Sequence, residues 1–246
     1  MPFDLTLLPA LWIAFVAFGA AFVRGYSGFG FAALLISGAG LVTDPFAFTT
    51  IAVLADMAMT LGQLPGIWRH IAWRRIAAML AGAAFGVPLG TWALTGLGVD
   101  TGRAVISLII LAMCGLLLAG VQLRRDPGAP AHAGAGFASG LANGVALGGL
   151  PIAAFFAAQP IAAAAFRATL IAYFTLLDIW TLPFYIAAGR LTEEHLLATA
   201  IYLPPMALGL WVGSRRFHGT APASFRRFAI WLLAGLALLG LVRSVI

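Results

Sequence analysis

Two arginines and two aspartates interrupt stretches otherwise free of charge: Arg24, Arg167, Asp56 and Asp178. A guanidinium grips a sulfonate or carboxylate through two parallel N–H bonds. Burial disfavours the charged form of a carboxyl, so such a group can load and release a proton. An ionisable side chain within an apolar span is a functional candidate by default. Each of the four also has a plainer reading. Arg24 is either an anion ligand or a loop arginine at the tip of a helical hairpin. Arg167 is either an anion ligand or a side chain that snorkels to the membrane interface. Asp56 and Asp178 are either ion-coupling carboxylates or structural partners of the two arginines.

Two glycine-rich clusters accompany these charges, GYSGFG at 25–30 and NGVALGG at 143–149. A broken helix exposes backbone groups that lipid cannot satisfy, so the break must face protein, water or substrate. The N-terminus of a half-helix carries partial positive charge and free N–H donors, which suit an anion. Glycine lets ligand and backbone approach closely. The candidate substrate-binding residues are therefore Arg24, Ser27, Gly28, Gly30, Asn143, Gly144, Gly148, Gly149 and Arg167. The candidate ion-coupling residues are Asp56 and Asp178. Ser27, Ser139, Asn143, Thr50 and Thr169 offer neutral hydrogen bonds near the breaks; the competing role of the hydroxyls is to bond their own helix backbone.

The elements that must position these groups follow from composition. Of 246 residues, 62% are hydrophobic and 9% charged, and mean hydropathy is +1.02. An ordinary soluble domain is about a quarter charged. The sequence is thus expected to form an all-α polytopic membrane protein of about 8–10 helical segments, since a crossing takes about 20 apolar residues. The leading charge is the acidic Asp4, unlike the basic start of a signal peptide, so the first span is expected to be retained. All basic residues are Arg, clustered between apolar runs, which argues for loop anchors and against nucleic acid. The single cysteine, Cys114, and four scattered histidines form no metal-ligand pattern, and no cofactor is expected. Gly82, Gly86 and Gly90 recur every four positions, as for close helix–helix packing.

The runs 5–43 and 127–166 are too long for one crossing, because about 40 helical residues span about 60 Å and the hydrocarbon core only about 30 Å. Each is expected to break at its glycine cluster and fold back. A shift of 119 residues sets Gly25 on Gly144, Gly30 on Gly149 and Thr50 on Thr169. The chain therefore reads as two inverted transmembrane repeats, 1–123 and 133–246, joined by a cytoplasmic linker at 124–132. Each repeat is a glycine-broken hairpin followed by three transmembrane helices. With hairpins, Arg69, Arg74, Arg75, Arg124, Arg125, Arg215, Arg216, Arg226 and Arg227 share one side, and Arg103, Arg190 and Arg243 the other. That bias marks the first side as cytoplasmic and puts both termini in the periplasm.

The segments RGYSGFGFAALLISG (24–38) and SGLANGVALGGLPIA (139–153) resemble the paired glycine-rich motifs of the TauE/SafE sulfite exporter family, the 4-toluene sulfonate uptake permeases. The resemblance covers essentially the whole chain; in the second motif Leu150 follows Gly148-Gly149, where the family has a glycine triplet. It implies a multi-pass inner-membrane transporter of sulfite, sulfonates or other small anions. Coupling to an ion gradient is expected, because no ATPase module and no P-loop lysine exist in the sequence. The expected partners are a small anion and membrane lipid, with a homodimer left open. An enzyme is not expected: the EEH cluster at 193–195 has the wrong order for a zinc protease motif. A non-transporting assembly or structural subunit is the alternative, but it gives no reason for two paired breaks.

Overall fold

The computed structural model describes residues 2–94, 97–120, 122–123, 126–216, 230–231, 234–235 and 237–242. Among them the fold is helical throughout, with no strand. The α-helices are α1 (Leu7–Ser27), α2 (Phe31–Ala39), α3 (Pro45–Ile67), α4 (Trp73–Leu94), α5 (Val99–Leu118), α6 (Gly128–Ala142), α7 (Gly149–Ala157), α8 (Ala163–Ala187) and α9 (Glu193–Arg215). Further helical residues are 230–231, 234–235 and 237–242. Six of the helices, α1, α3, α4, α5, α8 and α9, are long and apolar enough to cross a membrane. Arg124, Arg125, Arg226, Arg227 and Arg243, on which part of the charge argument rests, lie outside the described residues.

Both over-long runs fold back. α2 returns along α1: the Trp12 indole donates to the Gly38 carbonyl (2.8 Å), and Gly38 is flush against Val16. α7 returns along α6, bringing Phe155 and Phe156 against His132. The returning arms α2 and α7 have nine residues each, about 13 Å, so neither reaches across a bilayer. Both breaks therefore stop within the helical stack.

Close helix pairs hold the stack together. α4 and α6 run parallel, with Gly82, Gly86 and Gly90 facing the Ala133, Phe137 and Leu141 carbonyls and Gly136 facing Met79. α1 and α9 also run parallel, with Gly209 and Gly213 on the Phe18 and Phe22 carbonyls and Gly25 on Leu210. Burying apolar side chains gives little net drive in lipid, so backbone-to-backbone approach supplies the association. Gly86→Ala should force α4 and α6 apart, because its Cβ would collide with the Phe137 carbonyl. A loss of about 1–3 kcal/mol is expected, read as a lowered melting temperature in detergent. An unchanged melt would show that the pair relaxes freely.

α3 and α8 are antiparallel and cross at the centre. The Thr50 hydroxyl, early in α3, donates to the Arg190 carbonyl beyond the end of α8 (3.0 Å). Thr169, early in α8, accepts from the Ala72 amide beyond the end of α3 (3.0 Å). Midway, the Thr175 and Thr60 hydroxyls meet at 2.7 Å. These contacts orient the stack. Arg69, Arg74, Arg75, Arg215 and Arg216 lie at the end where α3 and α9 finish. Arg103, bonded to the Gly40 carbonyl, and Arg190 lie at the other. Phe3, against Phe48 and His195, and Gly240, near Ser107, share the second end with them. The seven tryptophans are all at least partly exposed on the outer surface, where interfacial aromatics belong.

Candidate functional site

The first break is a three-residue bend. Gly28 and Gly30 take φ of 85° and 88°, the left-handed region where a Cβ is strained. Gly28 has a second constraint, since a Cβ there would sit 2.9 Å from the Arg167 side chain. The second break runs through a 3-10 turn, Asn143–Val145, into Ala146 at φ 57°. A non-glycine residue in that region costs about 1–2 kcal/mol. Surrounding bonds enforce it: Tyr185 donates to the Asn143 and Gly144 carbonyls (3.0 and 3.1 Å), and Ser139 donates to Gly148 (2.7 Å).

At each break an arginine satisfies the exposed carbonyl that helix termini leave behind. Arg167 donates to the Gly25 carbonyl from Nε (3.2 Å) and Nη2 (2.7 Å). Arg190 donates to the Gly144 carbonyl from Nη1 (2.7 Å).

Arg24 sits one turn before the first break and is 1% exposed. Its guanidinium is clasped by α3. Nε lies 2.8 Å from Asp56 Oδ1, and Nη2 donates to Asp56 Oδ2 (2.9 Å) and Thr60 Oγ1 (2.7 Å). Nη1 donates to Gln63 Oε1 (2.8 Å). Asp56, Thr60 and Gln63 are spaced four and three residues apart, so one face of α3 presents all three. Arg24 is therefore no loop residue: it is a buried cation paired with a buried carboxylate.

At the second break Asn143 is held by α8. Its Nδ2 donates to Thr181 Oγ1 (2.7 Å) and, at 3.4 Å, to Asp178 Oδ1. Its Oδ1 accepts from the Gly148 amide (3.2 Å). Asp178 thus receives a neutral amide where Asp56 receives a guanidinium.

The two breaks converge on one central cavity of about 40 Å³. That is room for about three water molecules. Arg24, Asp56, Asp178 and Asn143 line it, with Phe174 and Leu177 as apolar wall. The first residues of α2 (Phe31 to Ala33) and of α7 (Gly149 and Leu150) also line it. Two half-helix N-termini therefore open on the same space, each worth about half a positive charge. The side chains lining it supply one guanidinium against two carboxylates.

Of the residues expected at the site, Arg24, Gly28, Gly30, Asn143, Gly149, Asp56 and Asp178 line this cavity. Ser27, Gly144 and Gly148 support its walls instead. Ser27 donates to its own helix at the Val23 carbonyl (2.8 Å). Gly144 packs on the Gly90 backbone, and Gly148 lies against the Ser139 carbonyl. Arg167 is not beside Arg24 in the cavity. It lines a separate space of about 570 Å³ between α3 and α9, because its guanidinium is turned to Gly25 and Ser214. Thr60, Gln63, Tyr185, Arg190 and Ser214 were not foreseen. The polar stripe Asp56–Thr60–Gln63 on an apolar span was the available signal for the first two.

The model of the family described as sulfite exporter TauE/SafE matches residues 13–239. The probable sulfite/organosulfonate exporter TauE of Cupriavidus necator is 28% identical over 243 residues, covering 94% of this chain and 93% of the relative. No solved structure matches the chain. The chain belongs to the TauE/SafE sulfite exporter family of membrane transporters.

Proposed function

We propose that this protein carries sulfite or small organosulfonate anions across the membrane, binding them in the central cavity and coupling their movement to an ion gradient. The observation that supports this most is the convergence of two half-helix N-termini and one buried guanidinium on a single central cavity. N–H groups and dipoles aimed at one point favour an anion there, and midplane sites between broken helices are a recurrent transporter arrangement. The relative's name points to the same substrate class.

The two halves act as inverted repeats in this reading. The 119-residue shift that aligns the glycines also sets Arg24 on Asn143. Arg24 bonds Asp56 and Thr60, and Asn143 bonds Asp178 and Thr181. The reciprocal contacts of Thr50 and Thr169 fit a two-fold axis between α3 and α8. Alternating access then follows from rocking one half against the other around the cavity. The arginine-rich end is the cytoplasmic one, which puts both termini in the periplasm.

The geometry also suggests how ions couple. Two carboxylates and an incoming anion outweigh one guanidinium, so the loaded cavity needs compensating positive charge. Protons on Asp56 or Asp178 provide it.

Purified protein in liposomes tests the reading. A short alkylsulfonate or sulfite is expected to raise the melting temperature by mass action and to be taken up in radiolabelled form. Controls with phosphate and acetate should give smaller shifts. Absence of both binding and uptake for every sulfur oxyanion would sink the proposal.

A further inference from the structure

Resting on that substrate class, we infer that the space between α3 and α9 is a second anion site, a waiting position for an organosulfonate outside the central cavity. It holds about 570 Å³, against about 40 Å³ at the centre, and lies toward the end where α3 and α9 finish. Arg167 and Arg215 both line it, and no carboxylate does. Two positive charges in one concave space, without an opposing acid on its wall, concentrate anions there.

The details suit a sulfonate with a short organic tail. The Arg215 guanidinium stacks over the Trp211 ring at 4.0 Å, which holds it at the rim. Arg167 and Ser214 are already joined (3.2 Å), so one oxyanion can engage both groups. Leu203 and Leu210 give an apolar wall for carbon atoms.

A thin polar layer separates the two spaces. Gln63 accepts from Arg24 on the cavity side (2.8 Å) and donates to Ser214 on the vestibule side (3.2 Å). Swinging Gln63 aside breaks two hydrogen bonds and joins the waiting site to the central one. The sulfonate passes by exchanging the Arg167–Ser214 pair for the α2 and α7 N-termini.

Thiol labelling reads the vestibule directly. Cys114, the only cysteine, is first changed by Cys114→Ala, and a single thiol is placed by Ala207→Cys, with Ala58→Cys as a second position on the facing helix. The anionic sulfonatoethyl methanethiosulfonate should modify it about tenfold faster than the cationic trimethylammonioethyl reagent, after normalising to a free thiol. Combined Arg167→Gln and Arg215→Gln should bring that ratio to about one. A saturating alkylsulfonate should slow labelling, and should still do so when Arg24→Gln with Asp56→Asn has disabled the central site. The paired change removes one charge of each sign and leaves the net charge of the cavity as it was, so the chain is expected to fold. A cationic preference, or no sulfonate protection, overturns the second site. So does protection that vanishes with the Arg24–Asp56 pair, since it would then come from the central cavity. Transport failure with intact protection would instead count against the proposed function alone.

Discussion

Liposomes carrying Arg24→Ala will take up no sulfonate, with loss of at least about a hundredfold, and the purified variant will melt well below the parent chain. Both effects come from one group. Among the described residues Arg24 is the only cation on the cavity wall, and it is held there by Asp56, Thr60 and Gln63. Removing one partner of a buried ion pair costs about 3–5 kcal/mol, because the other charge stays buried and unpaired. Loss of activity by itself could reflect that instability. Asp56→Asn separates the two causes. It leaves Arg24 buried and unpaired, so the variant should also melt early without ligand. An alkylsulfonate would then take the vacated place on the guanidinium. The sulfonate-induced rise in melting temperature should be several-fold larger in Asp56→Asn than in the parent protein, and should lose that gain once Arg24→Gln is added, leaving only the part that the site between α3 and α9 contributes. Melting curves with and without the alkylsulfonate measure this. An equal or smaller rise in Asp56→Asn would leave Arg24 as a strut between α1 and α3 and remove it from the anion's contacts.

The sequence made the hairpins legible for a simple reason. Length against bilayer thickness is a one-dimensional constraint, and glycine clusters mark where the chain can bend. The split of arginines between two ends followed from the same constraint, and for Arg69, Arg75, Arg103, Arg190 and Arg215 the helix directions agree with it. The partners of those charges were not legible. Arg24 and Arg167 look alike in sequence, each beside a glycine-rich or span-opening segment. Which one reaches the cavity depends on how α8 is rotated against α1, and that is a property of packing. Arg190 reads as a loop arginine, yet it donates to the Gly144 carbonyl across the break. A helix end buried in a membrane protein needs a donor or acceptor from somewhere, but the sequence does not say which distant residue supplies it. Thr60 and Gln63 could have been found, because their four- and three-residue spacing from Asp56 is a face of one helix.

The second large effect concerns Asp178. Its carboxylate lines the same cavity as Asp56 and accepts from Asn143 Nδ2 at 3.4 Å. With Arg24 already committed to Asp56, an arriving sulfonate meets a second negative group a short distance away. Coulomb repulsion between unit charges about 5 Å apart is about 3 kcal/mol even at an effective dielectric of 20. A proton on Asp178 removes that repulsion, so one proton should travel with each sulfonate, in the same direction. Uptake by the parent protein should then fall as pH rises, since the loaded site needs the acid form. Asp178→Asn keeps the shape and carries no charge at any pH. Its uptake should be flat across pH 5–9 and exceed that of the parent protein at the alkaline end. With one proton per monovalent sulfonate, the parent cycle would move no net charge. The variant cycle moves one negative charge, so its uptake should respond to an imposed membrane potential and should no longer drive accumulation from a proton gradient. An alkylsulfonate is the right probe because it stays ionised throughout that range, whereas sulfite itself exchanges protons. Radiolabelled uptake over a pH series, with a potassium–valinomycin potential as the second axis, measures both signs at once. A variant that keeps the parent's pH profile and its insensitivity to potential would take Asp178 out of the coupling and leave it as a partner of Asn143 in holding the second break.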